Sequence, residues 1–200
     1  RFLEIWNLVF SQYNYKEDGE YKNLPDKNID TGMGLERVAS ILQGVDSNFE
    51  TDLLKPMIDF IVDDTGIPYK KDKRTRTAYR VIADHIRSVT MAVADGVLPS
   101  NEGRGYVIRR LLRRAVRFGG KIGYQRPFLY RVVPVVNEVM GSTYSDIEKK
   151  IDHIQQIIKS EEERFLKTLD QGLEILNEMI AEMKKNDQNV LAGKDAFKLY

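Results

Sequence analysis

"AYRVIADHIRSVTMAVADGVLPSNEGRGYVIRRLLRRAVRFGG" (residues 78–120) decides the fold. Residues 78–96 read as one long amphipathic helix closed by Gly96. "VLPSNEGRG" is a loop of turn residues, and residues 106–118 return to helix, ended by Gly119 and Gly120. With Ile108 at zero on a helical wheel, Arg109, Arg110, Arg113, Arg114 and Arg117 share one arc, and Ile108, Leu111, Leu112, Ala115, Val116 and Phe118 share the other. Like charges packed on one face repel one another, so something must compensate them. Acids from the helical stretch over residues 146–187 could pair with them, or the face could be a phosphate surface for RNA or DNA. In the loop before this helix, Asn101, Glu102 and Arg104 could bring amide and guanidinium groups to base edges, and Arg74, Arg76, Arg80 and Arg87 could extend the basic patch.

Charge along the chain sharpens the choice without settling it. The net charge is only +1, yet residues 103–137 hold nine Lys or Arg and no acid, whereas residues 146–187 hold eleven acids against seven bases. Such segregation suits a polyanionic partner at the basic part. The acidic part reads as one long helix or two in series over residues 146–185, with Gly172 as a candidate bend and Glu161, Glu162 and Glu163 as solvated acids. Between them, Pro127 and Pro134 flank a shorter element. His85 reads as a packed or hydrogen-bonded histidine rather than a catalyst.

Towards the N-terminus, residues 50–66 read as a helix ending at Gly66, and "IPYKKDKRTRT" (residues 67–77) as a basic loop. The opening is different. "FLEIWNLVF" (residues 2–10) is rich in β-branched and aromatic residues, as a strand is. Period two puts Asn7 and Val9 on one face of it. Asp18–Gly19 marks a turn, and a helix begins near Met33 and stops at Gly44. The chain therefore divides near Gly44, into a strand–strand–helix piece too small to bury a core alone and a helical domain. The expected fold class is mainly α.

"DTGMGLERVASILQG" (residues 30–44) is the second chemical stretch. Gly32 and Gly34 remove Cβ atoms just before a helix N-terminus, where free N–H groups can meet a ligand. Arg37 lies one turn in and offers a planar cation for phosphate or a base. Asp30 offers a carboxylate suited to an ammonium group. The plainer reading is a strand-to-helix turn whose glycines satisfy geometry. No third glycine completes a dinucleotide fingerprint, and no Gly-Lys-Ser/Thr completes a Walker loop.

Composition bounds the rest. A chain of 200 residues with 42% hydrophobic and 30% charged residues can build a real core. Without cysteine, and with only His85 and His153, a Cys-based or multi-histidine metal site is not expected. No apolar run reaches membrane-spanning length and no secretory leader pattern opens the chain. Arg1 already stands in strand-like sequence and Tyr200 in mid-pattern, so a longer parent protein is expected.

"LEIWNLVF", "IDTGMGLERV", "RVIADHIRSVTMAVADGVLPSNEGRGYVIRRLLRRAVR" and "DAFKLY", in that order, resemble landmarks of the alanyl-tRNA synthetase family over essentially the whole chain. The resemblance implies that residues 1–44 end a class II catalytic domain and that residues 45–200 form the helical domain that recognises the tRNA acceptor stem. The other two class II motifs would precede Arg1, and an editing domain with its zinc site would follow Tyr200. "GMGLER" corresponds to the third class II motif, with Arg37 on ATP. Asp30 would take the amino group of alanine, Asn7 and Val9 would line the pocket, and Gly32 and Gly34 would lie against substrate. Asn101 matches the reader of a G·U pair in tRNA(Ala), with Arg104 and the arginine face on the same RNA; Asp195 is a weaker candidate for a second reader. Implied partners are alanine, ATP with Mg, and tRNA, in the cytoplasm, with any homo-oligomer formed through regions outside the chain. This stretch alone would be inactive. The rival expectation is a non-catalytic helical RNA-binding module.

Overall fold

The computed structural model describes residues 2–199; Arg1, where the strand pattern was expected to be under way, and Tyr200, the last residue of "DAFKLY", lie outside the described residues. The chain forms two compact units, one up to Lys55 and one from Pro56 onward.

The first unit is built on an antiparallel hairpin of β1 (Trp6–Tyr15) and β2 (Tyr21–Met33). The Asp-Gly turn forms as expected. Gly19 has φ +84°, a conformation that suits glycine, its N–H donates to the Lys16 carbonyl at 2.9 Å, and Glu20 N–H donates to Asp18 Oδ1 at 3.1 Å. The register runs from Trp6↔Met33 to Tyr15↔Tyr21, with an irregularity between Ser11 and Tyr13 that absorbs the greater length of β2. The strand begins at Trp6 rather than Phe2, because Met33 is the last partner that β2 supplies. Gly34 caps α1 (Leu35–Leu42), and its N–H donates to the Ile5 carbonyl at 3.0 Å. After Gly44 the chain turns back on α1. Gln43 Nε2 donates to Asp52 Oδ1 at 2.7 Å, Asp52 N–H donates to Gln43 Oε1 at 3.1 Å, and a 3₁₀ turn (Asn48–Glu50) lies between. Residues 45–55 thereby belong to the compact unit of the hairpin.

The second unit is helical: α2 (Lys55–Thr65), α3 (Lys73–Ala94), α4 (Gly103–Gly120), a 3₁₀ turn (Leu129–Val132) leading into α5 (Val133–Met140), α6 (Asp146–Lys149), α7 (Ile151–Lys185) and α8 (Gly193–Lys198). Ala78, Tyr79, Ile82, Ile86, Val89 and Val93 form the buried stripe of α3, against Leu112, Ala115 and Val116 of α4 and Ile154 and Ile158 of α7. Burying each of the larger aliphatics contributes roughly 1.5–3 kcal/mol.

Several boundaries differ from expectation for physical reasons. Asp72 accepts from Thr75 N–H at 2.7 Å, so α3 starts at Lys73 and takes in half of the expected basic loop. The helix expected from residue 50 starts at Lys55, after the 3₁₀ turn. Pro134 lies in the first turn of α5 rather than outside it, a position that loses no hydrogen bond. The acidic segment is two helices in series, but the break is at Lys150 (φ −115°, ψ 7°), and α7 runs through Gly172 without interruption.

The largest correction concerns the expected solvated acids. Only Glu163 is exposed; Glu161 is 5% and Glu162 0% exposed. They continue the Ile154–Ile158 face of α7 at helical spacing. Glu162 Oε1 accepts from Phe128 and Leu129 N–H, both at 3.0 Å, and Oε2 from Tyr130 N–H at 3.2 Å, so this carboxyl caps the 3₁₀ turn from a distant helix. Burial pushes the Glu162 carboxyl up to about 7 against the pull of those N–H groups.

Candidate functional site

On the hairpin, the antiparallel register makes Asn7↔Gly32 and Val9↔Asp30 directly opposed pairs. Opposed residues share a face of a two-stranded sheet, as do residues two apart. Asn7, Val9 and Asp30 therefore form one exposed cluster, with the Cβ-free position of Gly32 beside Asn7. Trp6, Leu8, Phe10, Ile29 and Met33 take the other face. The two glycines are not demanded by the backbone. Neither is among the positive-φ residues, a Cβ at Gly32 would meet nothing within 4 Å, and one at Gly34 would press only on the Arg37 side chain at 3.1 Å. Arg37 is exposed and lies in the first turn of α1, where its Nη1 donates to the Glu4 carbonyl at 2.6 Å. Glu4 meets Arg37 through its backbone carbonyl.

The second cluster lies on α4 and the loop before it. The loop is stapled by Ser100, whose N–H donates to the Gly105 carbonyl at 3.1 Å and whose hydroxyl donates to the Glu102 carbonyl at 2.8 Å. Gly105 is buried at this crossing, and a Cβ there would collide with the Leu98 carbonyl and Ser100 Oγ. The expected arginine arc divides in two. Arg109 Nε and Arg113 Nε donate to Glu161 Oε1 at 2.7 and 2.9 Å, and Arg109 Nη1 also donates to Asn101 Oδ1. Arg113 lies 5.2 Å from the Phe165 ring centroid. Arg104, Arg110, Arg114 and Arg117 are exposed. Arg114 lies over the Phe118 ring at 5.7 Å, and its charge helps lower the Asp84 carboxyl, held down chiefly by the hydrogen bond from His85. Arg110 and Arg117 make no hydrogen bond or ion pair among the described residues. Pairing with an acid thus accounts for Arg109 and Arg113, and it does not account for the exposed Arg110 and Arg117. A groove of about 290 Å³ adjoins the loop, between Leu98–Pro99 and the Gln156–Ser160 face of α7.

His85 is packed, with Nδ1 2.8 Å from Asp84 Oδ2. Asp195 is half-buried on α8 and accepts from Lys198 Nζ at 3.0 Å. Arg80 donates to the Tyr69 hydroxyl at 2.7 Å, while Arg74 and Arg76 are exposed. Among the described residues no group of three or more His, Cys, Asp or Glu is arranged to hold a metal ion, and no helix is long and apolar enough to cross a membrane. The 146–187 helix was an expected source of a pairing acid, but Glu161 as that acid and Glu162 as a cap were missed. Their signal was their place on the Ile154–Ile158 stripe.

A family model for class II (A) tRNA synthetases matches residues 1–200. The chain is 57% identical to the alanine–tRNA ligase of Geobacillus thermodenitrificans, 56% to that of Bacillus subtilis and 54% to that of Staphylococcus epidermidis, over 200 residues in each case. Each comparison covers the whole of this chain and 23% of the relative, so the chain spans less than a quarter of the curated relatives it matches.

Proposed function

The chain belongs to the class II (A) family of tRNA synthetases, and from that premise we propose that it is the part of an alanine–tRNA ligase that joins amino-acid activation to acceptor-stem recognition. Alanine and magnesium-bound ATP, as substrates, give alanyl-adenylate and pyrophosphate, and the alanyl group then passes to a hydroxyl at the 3′ end of tRNA(Ala) with release of AMP. Such catalysis is positioning and charge stabilisation on phosphate. Asp30 takes the alanine ammonium, Asn7 and Val9 bound its small side chain and carboxylate, and Gly32 admits substrate to the strand. Gly34 and Arg37 at the start of α1 meet ATP. In the helical unit, Arg104, Arg110, Arg114 and Arg117 take backbone phosphates, and Asn101 reads a base edge.

The observation that carries the activation half is the register Asn7↔Gly32 and Val9↔Asp30, which gathers one carboxylate, one amide and one small apolar side chain on a single face. A pocket for an ammonium group needs one fixed negative charge. In the full-length protein, Asp30→Asn should weaken alanine by roughly 1.5–3 kcal/mol, the worth of one charge-assisted hydrogen bond, with ATP far less affected. ATP–pyrophosphate exchange at varied alanine and ATP measures both. Equal changes in the two Michaelis constants would reject the assignment.

A second reading, an RNA-binding module without catalysis of its own, is favoured by Arg110 and Arg117, exposed and unpaired among the described residues. The two separate in one comparison. Exchange by the full-length protein that is impaired by Asp30→Asn supports the first, and duplex binding by the chain with exchange untouched by Asp30→Asn supports the second.

A further inference from the structure

We infer that Glu161 is a positioning residue that fixes the polarity of the Asn101 carboxamide through Arg109. This rests on the proposed reading of Asn101 as a base-edge contact, and it adds to that reading an anchor outside the loop. Glu161 stands on α7, far from the loop in sequence, with a carboxylate only 5% exposed. Its Oε1 accepts from Arg109 Nε at 2.7 Å and from Arg113 Nε at 2.9 Å. Arg109 thus spends its Nε on Glu161 and turns Nη1 to Asn101 Oδ1.

The chemistry of the guanidinium then sets the amide. Arginine has donors and no acceptor, so the carboxamide atom facing it must be the oxygen. Nδ2 becomes the group that Asn101 can offer to a ligand. An exposed asparagine without this contact can rotate and present oxygen or nitrogen, which blurs a choice between a base-edge acceptor and a donor. Held by Arg109, it presents a donor. The hold does not wait for RNA. A buried carboxylate stripped of its cations would be costly, so Glu161 keeps Arg109 at its station beforehand, and the reader is preorganised. Arg113 shares the same carboxylate oxygen but makes no bond to Asn101, which supplies an internal control.

The test is the alanylation kcat/KM of the full-length protein for acceptor-stem duplexes carrying G·U or G·C, expressed as a ratio. Glu161→Gln, Asn101→Ala and the double variant are compared. Each single substitution should narrow the G·U preference by about tenfold, the scale of one base-edge contact. The double variant should narrow it no further than Asn101→Ala alone. A ratio intact in Glu161→Gln but narrowed in Asn101→Ala overturns the inference and leaves the reading of Asn101 standing. A ratio intact in Asn101→Ala removes that reading and the inference with it. Multiplied losses in the double variant also overturn it, since Glu161 would then act by another route. If Glu161→Gln does not fold, lysine substitutions carry the same question. A lysine at 109 keeps the charge but cannot span Glu161 and Asn101 together. Arg109→Lys should therefore narrow the ratio and Arg113→Lys should not; equal effects from both, or from neither, overturn the inference.

Discussion

Glu162 shows what one residue can hide. Three consecutive glutamates look like a solvated run, because ionised carboxylates are rarely buried unless paired. Yet Ile154, Ile158, Glu161 and Glu162 fall at i, i+4, i+7 and i+8, one face of a helix. The periodicity was legible in the sequence. The partners were not, because the N–H groups that Glu162 accepts lie 32 to 34 residues away and the arginines on Glu161 lie 48 and 52 away. By contrast, the sharing of a face by Asn7 and Val9 was legible, since strand period two needs no distant information. Glu162→Ala would leave the buried N–H groups of Phe128 and Leu129, and the half-buried one of Tyr130, without this acceptor. Unsatisfied buried groups cost about 1–3 kcal/mol each, so the expected loss of stability is at least that much. Glu162→Gln keeps one amide oxygen as acceptor and should lose less. Urea unfolding of the two variants measures the difference; equal losses would mean that the side chain fills space and does not cap.

At the scale of the element, α4 sorts its arginines by their neighbours rather than by the helical wheel. The wheel puts Arg110, Arg113 and Arg117 on one arc, but only Arg113 lies close enough to α7 to reach Glu161. Its role therefore differs from that of the exposed pair. If Arg110 and Arg117 contact phosphates, each substitution by Ala should flatten the dependence of RNA affinity on salt by about one unit of slope. Arg113→Ala should leave that slope unchanged and instead destabilise the chain by about 1–3 kcal/mol, because one cation is lost from a buried carboxylate. Binding across a salt series, with unfolding of each variant alongside, separates the two effects. A reduced slope for Arg113→Ala would show that Arg113 leaves Glu161 to meet RNA. Helix starts were less legible than helix faces for a related reason. The Asp72–Thr75 cap is one pair of polar residues joined by two hydrogen bonds, and it lengthens α3 beyond the point where apolar periodicity becomes visible.

For the whole molecule, mainly helical content and a hairpin at the start were legible, because both follow from local periodicity and the Asp-Gly turn. That residues 45–55 belong with the hairpin was not, since the Gln43–Asp52 pair that ties them back is a matter of two polar side chains across a turn. The titrating groups of the chain make a joint prediction. Asp64 feels burial but is lowered overall by its hydrogen bonds from Arg131 and Tyr124, and Asp84 is lowered chiefly by His85. Their contributions to stability are present above the ordinary aspartate value of 3.8 and are lost as pH falls through their lower folded values. Glu162 acts in the opposite sense. Its folded value of about 7 lies above the ordinary 4.5, so the native state binds its proton more tightly than the unfolded chain does. Its contribution is full below 4.5 and is lost as pH rises through about 7. A shift of this size corresponds to at most about 3 kcal/mol. Stability should therefore climb as pH is lowered from 8 to about 5, then fall below about 4 as the aspartates take up protons. Glu162→Gln, which carries no titrating proton, should abolish the climb and keep the acid fall. Unfolding free energies of both proteins across this range, followed by the helical circular dichroism signal, measure the profile. A climb that survives in Glu162→Gln would assign it to a different group.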